Sequence, residues 1–295
     1  MPKADSYIYS KSGFPREETL FPNSNYQKVD TQDELPFIRE VIDKVGIEGI
    51  RTCVILQDNG ITYTYFPTIN IVIDLGSQKK GIHMSRLVES VNEVAPGTPG
   101  ETRKNFEDVG AKIISVLRER HSFKRAEVTL ATTIFVKRST PTSNNPTNEP
   151  YDVSVKVICD NGKFLKRLEA KVIGSTLCPH SLNMTNGKSH VQRAEIQLAI
   201  NTDFKTDLPL ERLIDICEES FSAPTYTVLK SHDEAALVDK MYSNPKFVED
   251  VVRECFDRLT KEKIDGKAWI KATAYESIHK HNAISELERN IGKGG

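Results

Sequence analysis

The sequence has little of what marks membrane-spanning, exported or nucleic-acid-binding proteins. No apolar run approaches the roughly 18 residues that a membrane-spanning helix needs. The first residues are polar and interrupted by proline, so they lack the apolar core of a signal peptide. Lysine and arginine number 40 against 41 aspartates and glutamates, a net charge of -1. We therefore expect no nucleic-acid partner and no membrane partner.

Cysteine is also scarce. The chain has five cysteines among 295 residues, an odd number that is scattered along the sequence. This distribution argues against a disulfide framework and predicts a reducing, cytoplasmic location. The length is sufficient for one or two domains with a sizeable core.

The spacing of apolar residues predicts an α+β fold. Helical spacing occurs at 84–94, 106–120, 208–220 and 244–262, and β-rich runs occur at 50–75, 125–139, 151–176, 191–200 and 267–277. Asp-Asn-Gly at 58–60 and at 160–162 predicts two tight hairpins. We expect a short helix over 33–46 and a proline-containing loop over 139–150.

The order of these elements indicates a duplication. A hairpin associated with a pair of helices occurs twice, and RAEVTLA at 125–131 resembles RAEIQLA at 193–199. We therefore expect an irregular arm over residues 1–33, a first module over 34–150 and a second module over 151–295.

The segment LCPHSLNMTNGKSH, residues 177–190, concentrates metal-ligating side chains. It holds Cys178, His180 and His190 in one loop. Thiol and imidazole are ligands for zinc- or iron-class ions. The alternative is a surface loop with a half-buried cysteine and two solvated histidines, since no CxxC or HxxxH spacing is present.

Two further segments place charged side chains at expected helix starts. In KKGIHMSRLVE, the side chains of Lys80, His83 and Arg86 either bind an anion or form a solvated basic helix start. In LKSHDEAALV, Asp233 and Glu234 either cap a helix or supply a carboxylate ligand or base.

Two later segments also allow more than one role. In NPKFVED, Pro245 fits a first helical position, and Glu249 either accepts hydrogen bonds from a guanine edge or faces water. In AYESIHKHNA, Glu276, His279 and His281 lie at a strand end or turn, where His279 can transfer protons or the segment is a solvated edge.

Taken in order, KGIHMSR, LCPHS with HVQR, LKSHDEA, NPKFVED and ESIHKHNA resemble the GTP cyclohydrolases of the type IB and archaeal MptA group. The resemblance implies a tunnelling fold (T-fold) with two modules of a β-hairpin plus helices. It also implies a homodimer or higher homo-oligomer, with active sites at subunit interfaces. Members open the imidazole ring of GTP at C8 and release formate.

The resemblance also implies roles for individual residues. The metal ligands fall on Cys178, His190 and Glu234, with Cys178 also counted as catalytic. The purine-binding glutamate falls on Glu249, and the paired catalytic Glu and His fall on Glu276 and His279. Lys80, His83 and Arg86 are the expected phosphate partners.

The chain departs from the group pattern in two places. Many members have Cys-Pro-Cys where this chain has Cys178-Pro179-His180, and His-Asn-Gln-Arg where it has His190-Val191-Gln192-Arg193. The long C-terminal segment and Asn183 resemble the archaeal branch.

The archaeal branch uses Fe2+ and forms 7,8-dihydroneopterin 2',3'-cyclic phosphate for methanopterin-type cofactors. Zn2+ or Mn2+ is the alternative metal, and 7,8-dihydroneopterin triphosphate for folate is the alternative product. A non-catalytic protein of the same fold that binds pterins or purines is the alternative from another class.

Overall fold

One antiparallel sheet organises the computed structural model, which describes residues 30–58, 60–96 and 103–292. The strands are β1 (Ile42–Arg51), β2 (Val54–Asp58), β3 (Ile61–Tyr65), β4 (Thr68–Leu75), β5 (Arg125–Ser139), β6 (Pro146–Asp160), β7 (Lys163–Leu177), β8 (Val191–Asp203), β9 (Ala223–Pro224), β10 (Gly266–Ala274) and β11 (Ala283–Ile291). The main sheet has the order β1-β4-β5-β6-β7-β8-β10-β11, with β9 beside β7, and β2-β3 forms a separate hairpin.

Helices pack on the sheet. They are α1 (Met84–Val94), α2 (Phe106–Arg120), α3 (Pro179–Met184), α4 (Leu210–Ser220), α5 (Ser231–Ser243) and α6 (Val248–Thr260). Helix α2 packs on β5 and β6, α4 on β7, and α6 on β10 and β11. Strand burial alternates along β4, as expected when one face of a sheet meets the core. Within the described ranges, no helix combines the length and the apolar character required to cross a membrane.

The helical and hairpin predictions are largely confirmed. Helices α1 and α2 have the predicted bounds, and Asp160-Asn161-Gly162 joins β6 to β7. Strands β2 and β3 pair up to Asp58 and Ile61, as predicted for the first hairpin, while Asn59 lies outside the described residues. Asn161 and Gly162 have φ values of 47° and 86°, the left-handed conformation that a tight hairpin turn requires. The mixed class of helices and antiparallel strands is therefore confirmed.

The predicted helix over 33–46 is wrong. Phe37 and Ile38 are exposed, so no apolar helix face meets the core, and the β-branched stretch from Ile42 instead pairs with β4 as strand β1. Most of the predicted arm, residues 1–29, lies outside the described residues, and a 3-10 turn covers Thr31–Asp33.

The predicted loop over 139–150 is too long. Strand β6 begins at Pro146, directly opposite Ser139. Its pairing with β7 starts only at Asp152, so Pro150 has a strand neighbour on one side alone. A proline is tolerated at such an edge because no second ladder needs its missing N–H. The predicted module boundary between residues 150 and 151 consequently falls inside β6.

The sequence reading also missed a strand at the end of the chain. Residues 283–291 form β11, which pairs with β10 along its whole length. The two similar heptapeptides lie on β5 and β8, the strands that flank the β6–β7 hairpin on either side.

Gly174 lies near the end of strand β7, three residues before Leu177, and provides a test of the packing beneath the strand that leads to Cys178. A Cβ atom at Gly174 would lie 2.2 Å from the ring of Phe221, which is 1% exposed. We expect Gly174→Ala to lower the free energy of unfolding by about 1–3 kcal/mol through overpacking. Urea unfolding measures this change. Gly76→Ala, where a Cβ meets no atom within 4 Å, is the matched control. An equal effect of both substitutions would contradict the packing argument.

Candidate active site

A cleft at the ends of β7 and β8 brings Cys178 and His190 together. The two strands remain paired up to Leu177 and Val191, so Cys178 and His190 follow as the next opposite residues. The backbone N–H of Cys178 donates to the carbonyl of His190 at 3.3 Å. Antiparallel pairing thus places His190 beside Cys178, although a loop of eleven residues separates them in the sequence.

Glu276 reaches the same cleft from β10. This strand pairs with β8 as far as Ala274, opposite Ala194, and the N–H of Tyr275 donates to the carbonyl of Arg193 at 2.9 Å, so the chain runs on beside the first residues of β8, which follow His190. A carboxylate oxygen of Glu276 lies 3.9 Å from Nδ1 of His190. The pairing of Glu276 with His279 stays a prediction, and the ionic neighbour that the described structure gives Glu276 is His190.

Hydrogen bonds define the orientation of the His190 ring. Its Nδ1 lies 2.8 Å from Oε1 of Gln192, whose Nε2 donates to Oγ1 of Thr176 at 3.0 Å. With this amide assignment, Gln192 presents an acceptor, so His190 carries its proton on Nδ1 and leaves the Nε2 lone pair available. Metal-ligating histidines are commonly held in this way.

Cys178 is built into the loop as a helix cap. Its half-buried sulfur accepts a hydrogen bond from the N–H of Ser181 at 3.4 Å, at the start of the short α3. The hydroxyl of Ser189 donates to the carbonyl of Cys178 at 2.7 Å. His180 is exposed on α3 and is absent from the described lining of the cleft.

The start of α6 forms another wall of the cleft. The N–H of Lys246 donates to the carbonyl of Leu177 at 3.1 Å, which brings Glu249 into the cleft lining. Pro245 was expected at the first helical position, but α6 begins at Val248. Asp250 accepts a hydrogen bond from the N–H of Phe247 at 3.2 Å, and this cap sets the later helix start.

His279 and His281 both line the cleft. Their rings are stacked, with centroids 5.2 Å apart and planes at 17°. Strand β10 ends at Ala274, so the two-residue alternation of a strand does not extend through residues 275–282, and both rings can face the cleft.

Glu234 lies apart from this group. It lines a neighbouring cavity of about 810 Å³ that also holds Arg193 and Tyr226. Asp233 beside it is fully buried and accepts hydrogen bonds from the N–H and hydroxyl of Ser143 and the N–H of Thr142. The Ser143 hydroxyl and these backbone groups hold the pKa of Asp233 below its ordinary value. The backbone N–H of Lys230, the residue that precedes α5, also donates to Oδ2 of Asp233 at 3.1 Å, so the capping role is confirmed for Asp233.

The expected phosphate partners lie in the first half of the chain. Lys80 pairs with Glu34 at 3.0 Å, and Nε2 of His83 lies 3.2 Å from Asp30. Arg86 donates to the carbonyl of Arg120 at 3.2 Å. In the described structure, Lys80, His83 and Arg86 are all missing from the cleft lining.

His83 has a second acidic neighbour. Asp30, Asp33 and His83 place possible ligand atoms within 4.8 Å of one another, the one such group of three in the described ranges. Asp33 is already paired with Lys79 at 2.8 Å.

The cleft brings together three of the five predicted motifs. A thiol, an imidazole with a free Nε2, carboxylates and two further histidines surround one space, the set needed to hold a cation, orient a base and move a proton. Sequence reasoning missed the supporting residues Gln192, Thr176 and Lys246. Gln192 and Lys246 lie inside the quoted motifs, but nothing in their spacing showed their hydrogen-bond partners.

Comparison with known proteins decides the class. The family model described as type I GTP cyclohydrolase folE2 matches residues 29–285. The chain belongs to this family. It is accordingly a GTP cyclohydrolase, and the predicted resemblance is confirmed.

Individual relatives of this GTP cyclohydrolase support the same family assignment. GTP cyclohydrolase MptA of Thermococcus kodakarensis is 46% identical over 263 residues, covering 88% of this chain and 98% of the relative. GTP cyclohydrolase FolE2 of Desulfovibrio desulfuricans is 30% identical over 263 residues, covering 89% and 98%. The crystal structure of a hyper-thermostable uricase mutant aligns with a TM-score of 0.52 and 8% identity, covering 86% of this chain and 93% of that one. This last likeness concerns the fold alone.

Proposed function

We propose that the cleft holds the guanine of GTP, opens its imidazole ring at C8 and releases formate to give 7,8-dihydroneopterin 2',3'-cyclic phosphate. The observation that carries this proposal is the convergence of Cys178, His190, Glu249 and His279 on one cleft from separate segments. MptA of Thermococcus kodakarensis, at 46% identity, is more similar to this chain than FolE2 of Desulfovibrio desulfuricans, at 30%, which supports the cyclic phosphate; the triphosphate product is the alternative.

Glu249 is the proposed guanine-binding residue. It lies in the first turn of α6 and lines the cleft, so its carboxylate is available to a ligand. A carboxylate can accept hydrogen bonds from both N1–H and the 2-amino group of guanine. Such a two-point contact holds the purine in one orientation beside the reacting groups.

Cys178 and His190 are the proposed ligands of a divalent cation, Fe2+ or alternatively Zn2+ or Mn2+. The fit rests on the half-buried thiol and on the free Nε2 of His190, whose Nδ1 is held by Gln192. When bound, the cation supplies Lewis-acid activation of the water that attacks C8. Glu276 lies 3.9 Å from Nδ1 of His190, so its negative charge acts on the ring without a hydrogen bond.

Glu234 is the third ligand implied by the family resemblance. It lies on α5 and lines the cavity beside the cleft, where Arg193 follows directly after the cleft residue Gln192. We keep Glu234 in the proposed ligand set, and the metal content of its glutamine variant tests this role directly.

His279 is the proposed proton donor to N7 of the purine. It is exposed to the cleft and stacks on His281, so it is free of hydrogen bonds within the described chain that would compete with substrate. A histidine titrates near neutral pH and can both donate and accept a proton.

The phosphate partners point to an oligomer. Lys80, His83 and Arg86 lie outside the cleft of their own chain, while GTP brings several negative charges. We propose a T-fold homo-oligomer of two-module chains in which these cations complete the cleft of a neighbouring subunit.

The experiment that tests the proposed function is anaerobic incubation with GTP and Fe2+, followed by a formate assay and by mass analysis of the product. No ring opening would favour a non-catalytic pterin- or purine-binding protein.

Replacing the proposed ligands tests the metal site. We expect Cys178→Ala and His190→Ala to lose bound Fe2+ and formate release together while retaining the fold, because each removes one ligand of a small set. Metal analysis measures the bound Fe2+, a formate assay measures activity, and circular dichroism checks the fold. Glu234→Gln belongs in the same series. His180→Ala, on the exposed side of the same loop, is the control. Full metal content in the Cys178 or His190 variant would refute the assignment.

Glu249→Gln tests guanine recognition. The amide keeps the shape but can present a donor to the N–H groups of guanine, which costs roughly 1–3 kcal/mol, or about tenfold to a hundredfold in kcat/KM. We expect metal content to stay unchanged. Steady-state kinetics with GTP measure the loss, and wild-type kinetics would mean that Glu249 only faces water.

His279→Ala tests proton transfer. We expect the variant to keep its metal and bind GTP but to release formate about 10²–10⁴ times more slowly. His281→Ala should be milder, and single-turnover kinetics of both variants make the comparison. Loss of metal in His279→Ala would instead make His279 a ligand, and a larger defect in His281→Ala would reverse their roles.

A further inference from the structure

Lys246 is a buried lysine with every ammonium hydrogen assigned. The residue is 7% exposed. Its Nζ donates to the carbonyls of Ser220 at 3.1 Å and Phe221 at 3.2 Å, and it forms an ion pair with Glu254. An ammonium group has three donors, so these three partners satisfy it fully.

The acceptors explain why a lysine is needed here. Ser220 is the last residue of α4, whose final carbonyls have no partners inside the helix and lie at the negative end of its dipole. Asn244 adds hydrogen bonds to the carbonyls of Phe221 and Ser222, at 3.1 Å and 3.2 Å. The segment before α6 therefore docks on the end of α4.

The same residue also contacts the chain that leads to Cys178. Its backbone N–H donates to the carbonyl of Leu177 at 3.1 Å. Glu254, the ionic partner of its side chain, lies on α6 together with Glu249. Lys246 thus joins three pieces: the end of β7, the end of α4 and the helix that carries Glu249.

A direct role in substrate binding does not fit these contacts. Lys246 contributes to the cleft lining, but its ammonium hydrogens point to α4 and to Glu254, which leaves none for a phosphate. An effect on catalysis must therefore pass through the position of another residue, and Glu249 is three residues away along the chain.

We infer that Lys246 is a positioning residue that aligns Glu249 with the purine edge and so sets selectivity for a base with a 2-amino group. This inference rests on the proposed role of Glu249. Two carboxylate oxygens meet N1–H and the 2-amino group together only if the first turn of α6 is held in one orientation. A shifted helix weakens the contact to the 2-amino group, which is the one of the two contacts that a purine without a 2-amino group cannot make.

The test compares GTP with inosine triphosphate, which lacks the 2-amino group. We expect Lys246→Met to lower the ratio of kcat/KM for GTP over inosine triphosphate by about tenfold, with unchanged metal content. Lys261→Met, on an exposed lysine that follows α6, should leave the ratio unchanged. If Lys246→Met folds poorly, Asn244→Ala weakens the same docking and should shift the ratio in the same direction by a smaller factor.

A parallel Glu249→Gln variant separates this inference from the proposed function. If Glu249→Gln changes the ratio and the Lys246 variant does not, the positioning role is overturned while guanine recognition stands. If Glu249→Gln leaves the ratio unchanged, the proposed role of Glu249 fails first. Equal losses for both nucleotides in Lys246→Met would show a structural role only. A double variant that combines Lys246→Met with Glu249→Gln completes the test. If its ratio of kcat/KM for GTP over inosine triphosphate is no lower than that of Glu249→Gln alone, Lys246 acts through Glu249.

Discussion

The pairing register of β7, β8 and β10 is the constraint on which the cleft depends. Cys178, His190 and Glu276 all lie just beyond the ends of these strands, so their separation is set by backbone ladders and not by the loops between them. A slip by one residue in either ladder would turn alternate side chains to the opposite face of the sheet. The strands also carry much of the buried core, so the geometry of the cleft and the stability of the fold rest on the same hydrogen bonds.

Supporting interactions refine what the register provides. Gln192 orients the His190 ring and is itself held by Thr176, while Lys246 ties the start of α6 to the end of β7. Each of these residues is buried and uses its polar groups on the protein itself. Because these buried residues form the structural hydrogen bonds, the side chains of His190 and Glu249 that face the cleft remain available to a ligand.

Sequence reasoning succeeded where the signal was local. The apolar spacing of α2 and the Asp-Asn-Gly turn at 160–162 follow from short-range rules, and the motifs around Cys178 and Glu249 identified the family. It failed where tertiary pairing decided the outcome. Residues 42–51 became a strand because β4 offered a partner, and β11 formed along β10 despite a largely polar sequence. The separation of Glu234 from Cys178 and the stacking of His279 on His281 depend equally on packing that no sequence pattern states.

The attachment of α5 has a mechanical consequence. Asp233 and Leu237 are its buried residues, and Asp233 is bonded to the 140–145 connection at the first turn of the helix. Farther along, the contact of Tyr242 with the carbonyl of Ser189 is long, at 3.5 Å. Asn244, the residue that ends α5, nevertheless donates to the carbonyls of Phe221 and Ser222, so the helix is fixed at both of its ends. Glu234 lies next to the first of these attachments, and its position is therefore set by the bonds that Asp233 makes to the 140–145 connection.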